Sequence, residues 1–150
     1  MNKIESVLWS IALPGFSQIL NGKLIKGLSF IILEVIINVQ ANFNDVIIYS
    51  FQGEIENAIY HTNYQWLMFY PCLYTFAIWD AYKDAGGGRT PFSFLPLVAA
   101  AYFTTVGLIY SPTLKIMGVL LGPVRLPILF CLIGLCVGMI IKIILTKTIY

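Results

Sequence analysis

Residues 126–145 read LPILFCLIGLCVGMIIKIIL, and the only charged residue among them is Lys142. About 20 predominantly apolar residues are enough to cross the hydrocarbon core of a bilayer as one helix. Lys142 does not end the run, because a lysine near a helix end can send its ammonium to the headgroups while its stem stays in the apolar layer. Gly134 and Gly138 form a small-xxx-small pair here. Packing inside the chain explains that pair as well as dimerisation does.

The rest of the chain has the same character. Its 150 residues are 59% hydrophobic and 11% charged, with mean hydropathy +0.83, whereas a soluble domain carries about 25% charged residues. The expected fold is an all-α integral membrane protein forming a single membrane domain over residues 1–150. Its apolar segments are 4–20, 24–46, 65–82, 92–110 and 126–145, which amount to about four transmembrane helices plus a broken N-terminal element. Pro14-Gly15 interrupts the first segment, so it is either re-entrant or a fifth span, since proline removes a backbone donor that lipid cannot replace. Glu5 and the lack of a small-residue cleavage site argue for a retained N-terminus rather than a signal peptide.

Residues 24–46 contain no proline, and no glycine after Gly27, so one long helix is expected there. Ala99-Ala100-Ala101 in segment 92–110 permits a close neighbour. Residues 114–124, punctuated by Gly118, Gly122 and Pro123, are too short to span and read as interfacial or re-entrant. In the loop between segments two and three, Ile48, Phe51, Ile55 and Ile59 recur at helical spacing, predicting a surface helix over about 46–60. Tyr49, Tyr60, Tyr64 and Trp66 belong at headgroup level.

Lys and Arg in short loops set orientation. Residues 39–64 contain neither and are expected outside the cell membrane. Lys23, Lys26, Lys83, Arg89, Lys142 and Lys147 fall at the alternating turns and ends, which places them and the C-terminus in the cytoplasm. Lys115 and Arg125 are the exceptions. A net charge of +2 with scattered basic residues excludes a nucleic-acid partner. The lipid bilayer is the expected partner, together with a membrane protein or a second copy of the chain.

Polar residues inside apolar segments are the candidate functional groups. Glu34, Asn38, Asn42 and Asp45 are spaced four, four and three apart, one stripe on one helix face. Either the stripe lines an ion path, or Glu34 is a buried acid paired with Lys26 or an amide. Asp80 is three residues before Lys83, which allows a local ion pair; the alternative is pairing with the turn that carries Asn21, Lys23 and Lys26. Gly86-Gly87-Gly88-Arg89-Thr90-Pro91 lacks the Gly-Lys-Ser/Thr ending of a phosphate loop. It is expected to be a passive connector that tolerates serine at Gly86 and Gly87. Cys72, Cys131 and Cys136 read as buried structural thiols, and His61 as a solvated side chain. No metal or cofactor motif and no nucleophile-base pattern is present in the sequence, so no enzymatic activity is expected.

Leu13-Pro14-Gly15-Phe16-Ser17-Gln18, followed by Asn21-Gly22 and Lys26-Gly27, resembles the LPGxGQxxNGxxxKG opening of many small bacterial and archaeal membrane proteins related to the two-transmembrane-helix domain group. Ser17 stands where those proteins usually have glycine. Trp79-Asp80-Ala81-Tyr82-Lys83-Asp84-Ala85 resembles the DAYxxA element that often follows. The resemblance covers about the first 85 residues. It implies a hairpin architecture and a connected polar set of Gln18, Asn21, Lys26, Glu34 and Asp80 at the cytoplasmic side. Two functions lead, a scaffold or accessory subunit and a transporter or channel component built on the Glu34 stripe. An intramembrane enzyme or lipid-modifying protein is the third and would need a water-accessible acid constellation.

Overall fold

The computed structural model describes residues 1–149. They are predominantly helical. The first three helices are α1 (Lys3–Ala12), α2 (Phe16–Leu20) and α3 (Leu24–Ala41), followed by α4 (Phe43–Gln52), α5 (Ile55–His61) and α6 (Tyr64–Leu67). Helices α7 (Tyr70–Asp84) and α8 (Leu95–Tyr110) precede a two-stranded hairpin of β1 (Lys115–Ile116) and β2 (Val119–Leu120), and α9 (Gly122–Ile149) completes the fold.

Two helices, α3 and α9, are long and apolar enough to cross a membrane. Their apolar windows are only 22% and 11% buried, so most of each apolar surface faces outward. On α1 the pattern of burial is inverted relative to water-soluble proteins. On α1 the buried residues are Ser6 and Ser10, while Ile4 and Leu8 face outward at 75% and 60% exposure.

Asn2 caps α1 by accepting the Glu5 backbone N–H at 2.8 Å, satisfying one of the donors that a helix start leaves free. The chain then turns sharply. Leu13 is extended, and Gly15 takes the left-handed conformation at φ 95° that starts α2. Gly15 is also where α2 meets α3: a Cβ on it would lie 2.3 Å from the Gly27 carbonyl oxygen. Both glycines of the Leu-Pro-Gly and Lys-Gly elements are therefore required by close backbone contact.

The helix expected over 24–46 ends at Ala41. Asn42 adopts the left-handed conformation, φ 56°, and its side chain donates to the His61 carbonyl at 3.1 Å, so the chain turns into α4. Asparagine tolerates this geometry better than most residues. The expected surface helix is two pieces, because Gly53 at φ 85° closes α4. The segment expected over 65–82 is likewise divided into the single turn α6 and the longer α7, which starts with Pro71 in its first turn.

Residues 114–124 contain a β-hairpin. Lys115 pairs with Leu120 and Ile116 with Val119, and the turn residues Met117 and Gly118 both have positive φ, as a two-residue hairpin requires. Helix α9 packs antiparallel on α8. A Cβ on Gly134 would reach the Ala99 carbonyl oxygen at 2.7 Å, and one on Gly138 the Leu95 carbonyl oxygen at 2.6 Å. The small-xxx-small pair is thus used within the chain. The cysteines are not buried: Cys72 and Cys136 are exposed, and Cys131, on the wall of a cleft, is partly covered.

The glycine connector is more constrained than its sequence suggests. Gly86 has φ 81°, and a Cβ on Gly87 would come within 2.5 Å of the Tyr82 ring. The expected tolerance of serine is corrected accordingly. Serine at both positions is expected to cost about 2 kcal/mol, from left-handed strain at 86 and ring displacement at 87. Thermal unfolding in detergent micelles measures it, and an unchanged midpoint would show that the turn relaxes freely.

Candidate functional site

Asp80 and Asp84 are four residues apart on the last turns of α7, so both carboxylates lie on one helix face. Lys23 and Lys26 come from the turn into α3. The Lys26 ammonium donates to Asp80 Oδ1 at 2.8 Å and to Asp84 Oδ2 at 3.3 Å, while Lys23 reaches Asp84 Oδ1 at 2.5 Å. The acids are the more enclosed partners, with side chains 16% and 12% exposed against 46% for Lys23 and 40% for Lys26.

Beneath these ion pairs is a buried layer. Gln18, fully buried on α2, donates from Nε2 to the Ala77 carbonyl at 3.0 Å and to Asp80 Oδ2 at 3.1 Å. Ser6 Oγ donates to the Ala81 carbonyl at 2.9 Å and lies 2.6 Å from Ser17 Oγ. Tyr74 donates its hydroxyl to the Ile11 carbonyl. The result is a clasp that joins α1, α2 and the start of α3 to one face of α7. Gln18 Oε1 and Asn21 Nδ2 are buried without a partner.

Asp84 stands at the end of α7, beyond the apolar segment 65–82. Burial opposes its ionisation, but hydrogen bonds from Lys23 and Lys26 outweigh burial and hold the carboxyl below the usual carboxylate range. Two ammonium groups face two carboxylates, so the charges balance and the acids are committed to partners. Among the described residues no group of three His, Cys, Asp or Glu could hold a metal ion.

Of the residues singled out from sequence, Gln18, Lys26 and Asp80 are brought together, and Asn21 sits at the end of α2 beside them. Asp80 makes its ion pair with Lys26; Lys83, three residues on, is exposed on another face. Glu34 is not part of the clasp. It lies eight residues along α3 from Lys26, about 12 Å, and accepts the Tyr70 hydroxyl at 3.4 Å, while its Oε2 is buried with no partner. Asn38 donates to Asn44 Oδ1 at 3.2 Å. The left-handed turn at Asn42 directs Asp45 away on α4, so the stripe does not continue as one helix face.

Sequence reasoning missed Ser6, Ser17, Asp84 and Tyr70. The four-residue spacing of Asp84 from Asp80 was the available signal for that acid; the other three depend on tertiary contacts. Two cavities flank α7. One of about 360 Å³ is bounded by α4, α7, α8 and α9, and one of about 440 Å³ lies between α7 and α8. Both are walled mainly by apolar side chains. No family model matches the chain, and neither a curated protein nor a solved structure shows significant similarity to it.

Proposed function

We propose that the chain is a polytopic membrane protein acting as a scaffold or accessory subunit, in which the N-terminal hairpin is clasped to α7 to present a fixed apolar exterior. The observation that carries this reading is the full internal pairing of Lys23, Lys26, Asp80 and Asp84. Charges used in this way hold helices together and are not available for catalysis or transport. The outward-facing aliphatic residues of α3, Ile32, Leu33, Val35, Ile36 and Val39, support placement in lipid, because a water-soluble monomer rarely shows a continuous apolar patch of this extent.

Helix α1, with about 15 Å of rise, is half the thickness of the hydrocarbon layer, which favours a re-entrant first element. The distribution of Lys and Arg supports a cytoplasmic clasp end and C-terminus. A cysteine placed near Glu54 is then expected to react with an impermeant thiol reagent in intact cells, and one near Gly87 to be protected; the reverse pattern overturns the orientation. The resemblance of residues 13–27 and 79–85 to small bacterial and archaeal hairpin proteins is one motive for this reading and adds no activity.

Co-purification from native membrane in mild detergent tests the scaffold reading. The expected result is a stoichiometric protein partner or a defined homo-oligomer. A chain that purifies alone and monomeric under those conditions overturns it.

The unpartnered Oε2 of Glu34 favours one second reading, a transport component. Glu34→Gln preserves shape and most hydrogen bonding, so under the scaffold reading it costs at most about 1 kcal/mol and moves no flux. Loss of a proton- or cation-dependent flux in proteoliposomes, with the fold intact, would establish transport instead.

A further inference from the structure

Helices α7 and α9 both pack against α8 but make little contact with each other, and the gap between them is the cavity of about 360 Å³. That volume is within the range of ligand-binding cavities, roughly 300 to 1,000 Å³. We propose that this cleft holds one acyl chain of a membrane phospholipid, with the lipid phosphate beside Arg125. The proposal is distinct from the scaffold reading and rests only on the placement of the chain in a bilayer.

The polar groups around the cleft are turned away from it. Thr75 and Thr104 each return the hydroxyl to the carbonyl four residues earlier in their own helix, Pro71 at 2.8 Å and Ala100 at 2.6 Å. Tyr70 gives its hydroxyl to Glu34 and Tyr74 to Ile11. What remains toward the cavity is ring, methyl and aliphatic surface. Water needs two to four polar partners to be held in such a space, and this lining offers few. An empty cleft would forfeit dispersion contacts along all its walls.

The rim indicates what fills it. Phe51 and Ile128 line the cavity and are also 72% and 54% exposed, so in a membrane the matter next to the opening is hydrocarbon chain. The α9 wall extends from Pro123 to Cys131, about 12 Å of helix rise, which suits an extended chain. At the same end, Arg125 is exposed next to the lining residue Val124 and has no carboxylate partner among the described ion pairs. It complements a phosphate.

The test uses phosphatidylglycerol with a photoreactive diazirine on one acyl chain, added to the full-length protein in detergent. The chain is irradiated after dilution with excess unlabelled detergent, and the modified peptides are mapped. The expected result is label retained on residues 70–75 and 123–131 after bulk lipid has washed off the exposed face at Ile140, Ile143 and Ile144. Thr104→Phe and Cys131→Phe fill the cleft and displace two or more methylene groups, so each is expected to reduce retained label roughly tenfold. Arg125→Gln is expected to weaken retention while leaving the labelled positions unchanged. Even label along both faces of α9 in the wild type overturns the proposal without reference to any variant. So does undiminished label in a cleft-filling variant whose unfolding temperature shows that it is folded. Alkaline carbonate extraction separates the two levels: release of the chain from membranes refutes the bilayer placement, whereas a retained chain with an unlabelled cleft refutes only the lipid site.

Discussion

Gly138→Leu is expected to prevent α8 and α9 from pairing, with a loss of about 3 kcal/mol or more. Overpacking usually costs about 1–3 kcal/mol because side chains and backbone can shift to accommodate it. Here the obstruction is backbone. A Cβ at 138 would stand 2.6 Å from both the Leu95 carbonyl oxygen and the Pro96 Cα, and Gly134 repeats the approach one turn away against Ala99 and Ala100. Relief requires the helices to separate along their length, which gives up the close van der Waals contact that holds apolar helices together where lipid is as apolar as leucine. The check is the yield of monodisperse protein and its unfolding midpoint in detergent. Cys136→Leu is the control: Cys136 is two residues away but exposed, so it should behave like wild type. A stable, monodisperse Gly138→Leu protein would mean that α8 and α9 do not approach this closely.

The apolar segments were legible because run length and breaker residues are local properties. Pro14-Gly15 ends α1 by the conformational rules that make it visible in a sequence. Gly53 obeys the same rule, yet the helical spacing of Ile48, Phe51, Ile55 and Ile59 carried the expected surface helix across it. The early end of α3 was not legible. Nothing in the order of residues 38–46 shows that Asn42 will be left-handed, since this depends on the His61 carbonyl waiting for its side chain. The hairpin at 115–120 escaped because two-residue strands have no alternation to read, and the positive φ falls partly on Met117, which gives no turn signal. The constraint on Gly87 is invisible in the same way, because it arises from the Tyr82 ring folding back over the connector.

The clasp was half legible. Lys26, Asn21 and Asp80 stood out as polar groups in or beside apolar segments, and the resemblance of residues 13–27 and 79–85 to a hairpin family implied that they form one set with Gln18. The choice of partner was not available. An acid three residues before a lysine always suggests a local pair, and only the tertiary arrangement shows Asp80 turned toward α2 and α3 instead. Glu34 shows the same limit: its spacing in the stripe is a sequence fact, whereas the Tyr70 hydroxyl that meets it comes from 36 residues away.

The second large effect is expected in the clasp itself. Asp80→Leu removes the acceptor shared by Lys26 and Gln18, and should cost about 2 kcal/mol, between an exposed ion pair and a buried one. Lys26→Met should cost somewhat less, since Asp80 retains Gln18 and Asp84 retains Lys23. The double variant is expected to lose about 1 kcal/mol less than the sum, because a charge left without its partner accounts for part of each single loss. Additivity to within about 0.3 kcal/mol in thermal unfolding would show that the pair is not energetically coupled. Acid provides an independent view of the same contacts. The Asp84 carboxyl is held below its ordinary value of 3.8, so its contribution to stability is complete above that pH. It is lost as the pH falls through the lowered value in the folded protein. Asp84→Asn removes the titrating group, so its stability is expected to be lower than wild type near neutrality and to decline less on acidification, the two curves converging at low pH. Parallel curves would place the acid sensitivity outside Asp84 and leave its pairing with Lys23 and Lys26 without energetic weight.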